Sequence, residues 1–243
     1  MKPFRSLQSS FLACLGRWSK PGTRSWLVER ELRYGGYVTD LKRHRISELD
    51  GRTLKWTDPG MTGGDRMSPR RHDYGRIYAR YLRPFLESRA PVALAEVGVL
   101  QGTGLAIWSD LFPNGRIIGL DIDLTHFESN LGRLSRLGAF KARNHEAHLF
   151  DGFVDNSRYL ANILREATVD IVIDDASHAD KSILATFESF RQYLAKNFVY
   201  FIEDNREVHR TLRQRYPLYR VESYDEMTIV TDFDRSVAPE RRQ

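Results

Sequence analysis

One cysteine, Cys14, stands in 243 residues, so the chain can form no intrachain disulfide and no cysteine cluster for zinc; a reducing, cytoplasmic setting fits. No apolar run approaches the roughly 20 residues that a membrane-spanning helix requires. The longest near the start is only Phe11–Leu15, and a soluble chain is expected. No acidic residue precedes Glu29. The Arg- and Ser-containing start resembles a transit peptide, although a basic arm is the commoner explanation of such a composition. An internal repeat is also lacking, which excludes solenoid and array architectures.

A hydrophobic content of 41% is that of an ordinary globular protein with one sizeable core. The net charge of +5 is uneven, with 19 Lys and Arg against 9 Asp and Glu in residues 1–90, and 18 against 23 in residues 91–243. The basic residues are scattered among Trp, Leu and Tyr, which reads as a solvated basic face rather than a nucleic-acid block. Residues 1–70, rich in Gly, Arg and turn signals, are expected to form a basic N-terminal extension of unassigned role, and residues 71–243 a single α/β domain.

In that domain, apolar strand candidates alternate with helical stretches: Val92–Val97, Arg116–Asp121, Ala147–Asp151, Val169–Asp174 and Phe198–Glu203. Such alternation predicts a mostly parallel sheet with helices on both faces, because parallel strands need crossover connections. Runs such as Asp170-Ile171-Val172-Ile173 read as central strands. Two further short runs, Tyr219–Ser223 and Met227–Asp232, are separated by Tyr224-Asp225-Glu226 and predict a closing antiparallel hairpin, for seven strands in a Rossmann-like sheet. Upstream, His72–Ser88 has helical spacing of Ile77, Tyr81, Leu82 and Phe85, and Pro84 should kink or end it.

Two constellations carry chemistry. The first, Glu96-Val97-Gly98-Val99-Leu100-Gln101-Gly102-Thr103-Gly104, follows a strand and opens a helix. Glycines there permit a tight turn and close approach of a ligand, and free N–H groups at a helix start favour its negative groups. Twenty-five residues after Glu96, a second strand ends in Asp121, placed to accept hydrogen bonds from both hydroxyls of a ribose; Asp123 competes for that role. The bland alternative is that Gly98, Gly102 and Gly104 only make the turn and Asp121 only caps the next element.

The second constellation is Asp174-Asp175-Ala176-Ser177-His178 with Glu203-Asp204-Asn205 at the end of the next strand. The crevice beyond the carboxyl ends of parallel strands is the usual ligand site, so Asp175, Glu203 and Asp204 can converge on one cation, and three oxygen ligands suit Mg2+. His178 would stand beside whatever the metal holds, as a general base. Capping of the following helices is the alternative for each residue alone, but it leaves three clustered carboxylates electrostatically unexplained.

These residues resemble the bacterial macrolide-tailoring sugar O-methyltransferases, a class I family dependent on S-adenosylmethionine. The resemblance covers roughly residues 62–205 and rests on Gly64-Asp65-Arg66, His72-Asp73-Tyr74 and Tyr78, Glu96-Val97-Gly98-Val99, Leu105–Trp108, Gly119-Leu120-Asp121-Ile122, Asp174-Asp175-Ala176-Ser177-His178 and Ile202-Glu203-Asp204. It implies a Rossmann-like class I methyltransferase fold in which Glu96, Gly98 and Asp121 hold the methyl donor and Asp151 is the adenine-side carboxylate. It further implies that Asp175, Glu203 and Asp204 bind magnesium and that His178 is the base. The chain departs from the family where Gly104 replaces Ser, Ala176 replaces Gly, and Leu194-Ala195-Lys196-Asn197 replaces a Pro-Gly-Gly turn.

The expected reaction is methylation of a hydroxyl on a sugar or glycoside, with assembly into a homo-oligomer left open. A catechol or other vicinal-diol acceptor is the nearest alternative. A nucleic-acid methyltransferase guided by Trp18, Trp26, Tyr34 and Tyr37 ranks lower, since no base-methylating Asn-Pro-Pro-Tyr motif occurs. A non-catalytic donor-binding protein ranks last, because His178 and three candidate ligands are present.

Overall fold

A computed structural model describes residues 19–37, 41–42, 44–51, 57–58, 62–165 and 167–232. Cys14, Phe11–Leu15, Trp18 and the Tyr37 side chain lie outside the described residues. Among the described residues no helix is long and apolar enough to cross a membrane.

Four two-residue strands, β1 (Gly36–Tyr37), β2 (Leu41–Lys42), β3 (Thr57–Asp58) and β4 (Thr62–Gly63), pair antiparallel as β1 with β4 and β2 with β3. The main sheet follows: β5 (Ala93–Val97), β6 (Arg116–Asp121), β7 (His145–Leu149), β8 (Val169–Asp174), β9 (Leu194–Ile202), β10 (Arg220–Tyr224) and β11 (Met227–Thr231). Its seven strands lie in the order β10-β11-β9-β8-β5-β6-β7. Strands β5 to β9 are parallel to one another, and β11 pairs antiparallel with both β9 and β10. The expected seven-stranded, mostly parallel sheet with a closing hairpin is what the chain builds.

Period-two alternation divides the strand side chains between two cores, as a sheet buried on both faces requires. Leu94, Ile117, Ile171, Ile173, Val199 and Phe201 face one core, with Trp26, Leu27, Tyr34, Tyr78, Leu105 and Trp108. Ala95, Ile118, Val172 and Tyr200 face the other, with Leu160, Ile183, Phe187, Phe190 and Leu212. Helices Arg24–Tyr34, Gly75–Tyr81, Thr103–Leu111 and Thr125–Arg136 thus cover one face, and Ser157–Leu164, Asp180–Arg191 and Val208–Arg215 the other. Pro84 does interrupt the upstream helix: one helix closes at Tyr81, and Arg83–Ser88 carries Pro84 in its first turn.

Two strands differ from expectation by more than one residue at a boundary. Strand β7 runs two residues earlier than Ala147–Asp151, because as an edge strand it is only half-buried and its apolar alternation is weak. Strand β9 begins at Leu194 rather than Phe198: its polar first half pairs Leu194 with Val169 across a register shift, with Asn197 left-handed at φ 65°.

Sheet order reverses between β5 and β8, and ligand sites of open α/β sheets form at that switch point. There the chain encloses a cavity of about 560 Å³ whose lining includes Gly98, Asp121, Asp175, His178, Glu203 and Asp204.

Candidate functional site

The glycine turn after β5 forms one wall. Gly98 is left-handed at φ 94°, and a Cβ there would collide with the carbonyl of Asp175, so only glycine lets the end of β5 lie against the end of β8. Gly102, at φ 79°, precedes the helix Thr103–Leu111 and leaves room for the Phe127 ring; it is not itself a lining residue. Asp121 holds this turn. Its Oδ2 accepts from the Val99 and Leu100 N–H groups at 2.8 and 2.9 Å, and its Oδ1 from the Asp123 N–H at 3.0 Å. Burial raises the Asp121 pKa and these three hydrogen bonds oppose the rise.

The opposite wall is acidic and is neutralised from outside the sheet. Arg66 donates from Nη1 to Glu96 Oε1 at 2.8 Å, pairs through Nη2 with Asp175, and lies through Nε 3.1 Å from Glu203 Oε2. One guanidinium therefore joins the ends of β5, β8 and β9. The Tyr78 hydroxyl, fully buried, donates to Glu203, and the Tyr74 hydroxyl donates to Asp204 Oδ1 at 2.6 Å. Burial pushes the Glu203 and Glu96 carboxyls upward, with Arg66 opposing in both cases. Arg66 itself rests beside Glu31, whose carboxylate accepts from the Met67 N–H at 2.8 and 2.9 Å. Burial is the main reason the Glu31 carboxyl is pushed up to about 7.

Of the three carboxylates expected at one cation, the structure brings Asp175 and Asp204 together, and the expected base joins them: donor atoms of Asp175, His178 and Asp204 lie within 4.8 Å of one another. Glu203 lines the same cavity but is engaged by Arg66 and Tyr78. His178 Nδ1 is buried with no hydrogen-bond partner among the described residues, while the His178 carbonyl accepts from Asn205 Nδ2 at 2.9 Å. Leu100, His178 and Asp204 all line the cavity in left-handed backbone, at φ 48°, 58° and 54°. Non-glycine residues in that region cost on the order of 1 kcal/mol each, and such strain concentrates where side chains must be aimed.

Like Gly102, two further expected donor residues sit apart from the cavity lining. Glu96 is 1% exposed, under Gly104 and against Arg66. Asp151 stands two residues beyond β7, and its Oδ1 accepts from the Phe153 N–H at 2.9 Å, so it shapes a turn; its neighbours Phe150, Gly152 and Phe153 line the cavity instead. The roles of Arg66, Tyr74, Tyr78 and Glu31 had not been expected. The signal available was an excess of buried carboxylates, which requires a cation or bound protons near them.

No protein-family model matches the chain. It is 27% identical over 139 residues to mycinamicin VI 2''-O-methyltransferase of Micromonospora griseorubida, covering 55% of this chain and 31% of that protein. It is 28% identical over 145 residues to 8-demethyl-8-alpha-L-rhamnosyl tetracenomycin-C 2'-O-methyltransferase of Streptomyces olivaceus, covering 55% and 33%. The chain thus spans about a third of the length of the curated relatives it matches. Among solved structures, the methyltransferase MycE from the mycinamycin biosynthetic pathway, in complex with Mg and SAH, superposes with a TM-score of 0.52 at 19% identity, over 71% of this chain and 53% of that one. The O-methyltransferase TomG of Streptomyces achromogenes, in complex with SAM, gives 0.50 at 18% identity, over 63% and 79%. The fold is therefore that of the class I S-adenosylmethionine-dependent methyltransferases.

Proposed function

We propose that the chain transfers a methyl group from S-adenosylmethionine to a hydroxyl of a sugar or glycoside. The observation that carries this reading is that the glycine turn after β5 and the acidic ends of β8 and β9 open into one cavity at the sheet's switch point. The similarity to two sugar O-methyltransferases supports the acceptor class.

S-adenosylmethionine would supply an electrophilic methyl group, held at the turn formed by Gly98, Val99 and Leu100 over Asp121. The Asp175 and Asp204 carboxylates, with donor atoms within 4.8 Å of each other and of a His178 nitrogen, fit a divalent cation that keeps waters in its other positions and leaves the imidazole beside it; Glu203 could join them only by releasing Arg66. Magnesium held there would make an acceptor hydroxyl more acidic. His178 accepts the hydroxyl proton as the oxygen takes the methyl group, a role open to its unpartnered Nδ1. Arg66 and Tyr78 keep the acids beneath from repelling one another.

Calorimetry with S-adenosylmethionine, with and without magnesium, followed by mass-spectrometric screening of glycosides and catechols for methyl gain, tests the reading. Asp175→Ala should remove most methyl transfer and leave donor binding nearly intact. Asp121→Ala should weaken donor binding, and lower methyl transfer with it, by releasing the Val99 and Leu100 N–H groups. No donor binding by the intact chain, or full activity after chelator treatment, would contradict it.

A further inference from the structure

After β6 lies a second cluster, of different chemistry. His44, Asp123 and His126 each offer one ligand atom, all within 4.8 Å of one another. Asp123 and His126 belong to the loop after β6 and the first turn of helix Thr125–Arg136; His44 arrives from a segment 79 residues earlier in the chain. The two imidazole rings are 5.7 Å apart between centroids and tilted by 38°. Asp123, 7% exposed, already has its orientation fixed: Oδ2 accepts from the His44 N–H at 2.9 Å and Oδ1 from the Thr125 N–H at 3.0 Å. Backbone donors that hold a ligating carboxylate in this way are what a metal site needs outside its ligands.

We propose that His44, Asp123 and His126 form a transition-metal site of the zinc class, separate from the magnesium-type cluster at Asp175 and Asp204, and that the ion clamps the segment around His44 to the lip of the cavity. Two imidazoles and one carboxylate are borderline donors, suited to zinc with water completing the coordination, whereas the oxygen-rich cluster suits a hard cation. The clamp has a definite consequence for the cavity, because Arg45 and Asp50 of the same segment, with Asp123 and His126, are among its lining residues. The site and its clamp stand independently of the methyl-transfer reading, since they require neither donor nor acceptor.

The test is zinc titration of the full chain by calorimetry, with cobalt(II) absorption as a second readout of coordination. With excess magnesium present to fill the cluster at Asp175 and Asp204, the intact protein should bind one equivalent of zinc. His44→Ala and His126→Ala should each weaken binding at least tenfold, and Asp175→Ala should leave it unchanged. Hydrogen exchange at the His44 amide should slow when zinc is added to the intact protein and not when it is added to His126→Ala. Zinc affinity and cobalt spectrum unaltered by both histidine substitutions, or lost in Asp175→Ala instead, would overturn the proposal. His44 is exposed, so its substitution tests the site without disturbing the core.

Discussion

The described residues of 93–232 and those of 19–88 contribute to one cavity by different means. The sheet places acids where three parallel strands stop: Asp121 at the end of β6, Asp175 after β8, Glu203 and Asp204 after β9. The segment before the sheet places their counter-groups: Arg66, Tyr74, Tyr78 and His72 all reach across to acids of the sheet. Strand ends repeat regularly, and so do the acids. The counter-groups follow no period, and Arg66 lies between two short antiparallel pairs and the helix Gly75–Tyr81. An acidic site can thus be assembled by a regular scaffold and made tolerable by an irregular one.

The largest test of that division is Arg66→Met, which leaves Glu96 and Glu203 buried without their cation. Removing one partner of a buried ion pair typically costs about 3–5 kcal/mol, read here by denaturant unfolding. A loss under about 1 kcal/mol would show that the acids are neutralised by bound protons rather than by Arg66.

Next comes Glu31, which tests whether the earlier segment carries its own buried charge. Its carboxyl is raised from 4.5 to about 7, chiefly by burial. A raised folded pKa favours the protonated form, so this contribution is complete below pH 4.5 and is lost as pH rises through about 7. Between those limits the wild type should lose about 3 kcal/mol more than Glu31→Gln, in paired unfolding curves at pH 4.5 and pH 8. Parallel curves for the two proteins would remove Glu31 from the comparison.

On the sheet side, Gly98→Ala forces a Cβ against the Asp175 carbonyl in left-handed backbone. It should cost roughly 1–3 kcal/mol and weaken donor binding more than it lowers the melting temperature. An alanine variant with native donor affinity would mean that the turn can be rebuilt. The smallest effect belongs to Arg24→Ala, which removes an exposed pair with Asp73 at 2.8 Å and should cost under about 1 kcal/mol in thermal unfolding. A larger loss would show that the early helix is fastened at its surface rather than by Trp26, Leu27 and Tyr34.

The strands and the glycine turn were legible because burial on both faces and tight turns leave periodic and compositional marks. Boundaries blurred where those marks fade, at the half-buried edge strand β7 and the polar start of β9. Asp175, His178 and Asp204 could be grouped in advance because successive parallel strands bring their ends to one side. Glu203 could not be separated from them, since Glu203 and Asp204 are adjacent and only the folded chain shows one turned to Arg66 and the other to Tyr74.

By itself, then, the sequence determined which segments become strands, at which strand ends the acids would be delivered, and where the glycine turn falls. The tertiary structure decided the partners: Arg66 among three acids, Asp151 turned to its own loop, His44 beside Asp123 and His126. The reason is that local pattern fixes the face on which a side chain emerges, whereas an ion pair or a ligand set between residues 30 to 137 positions apart depends on how whole segments pack.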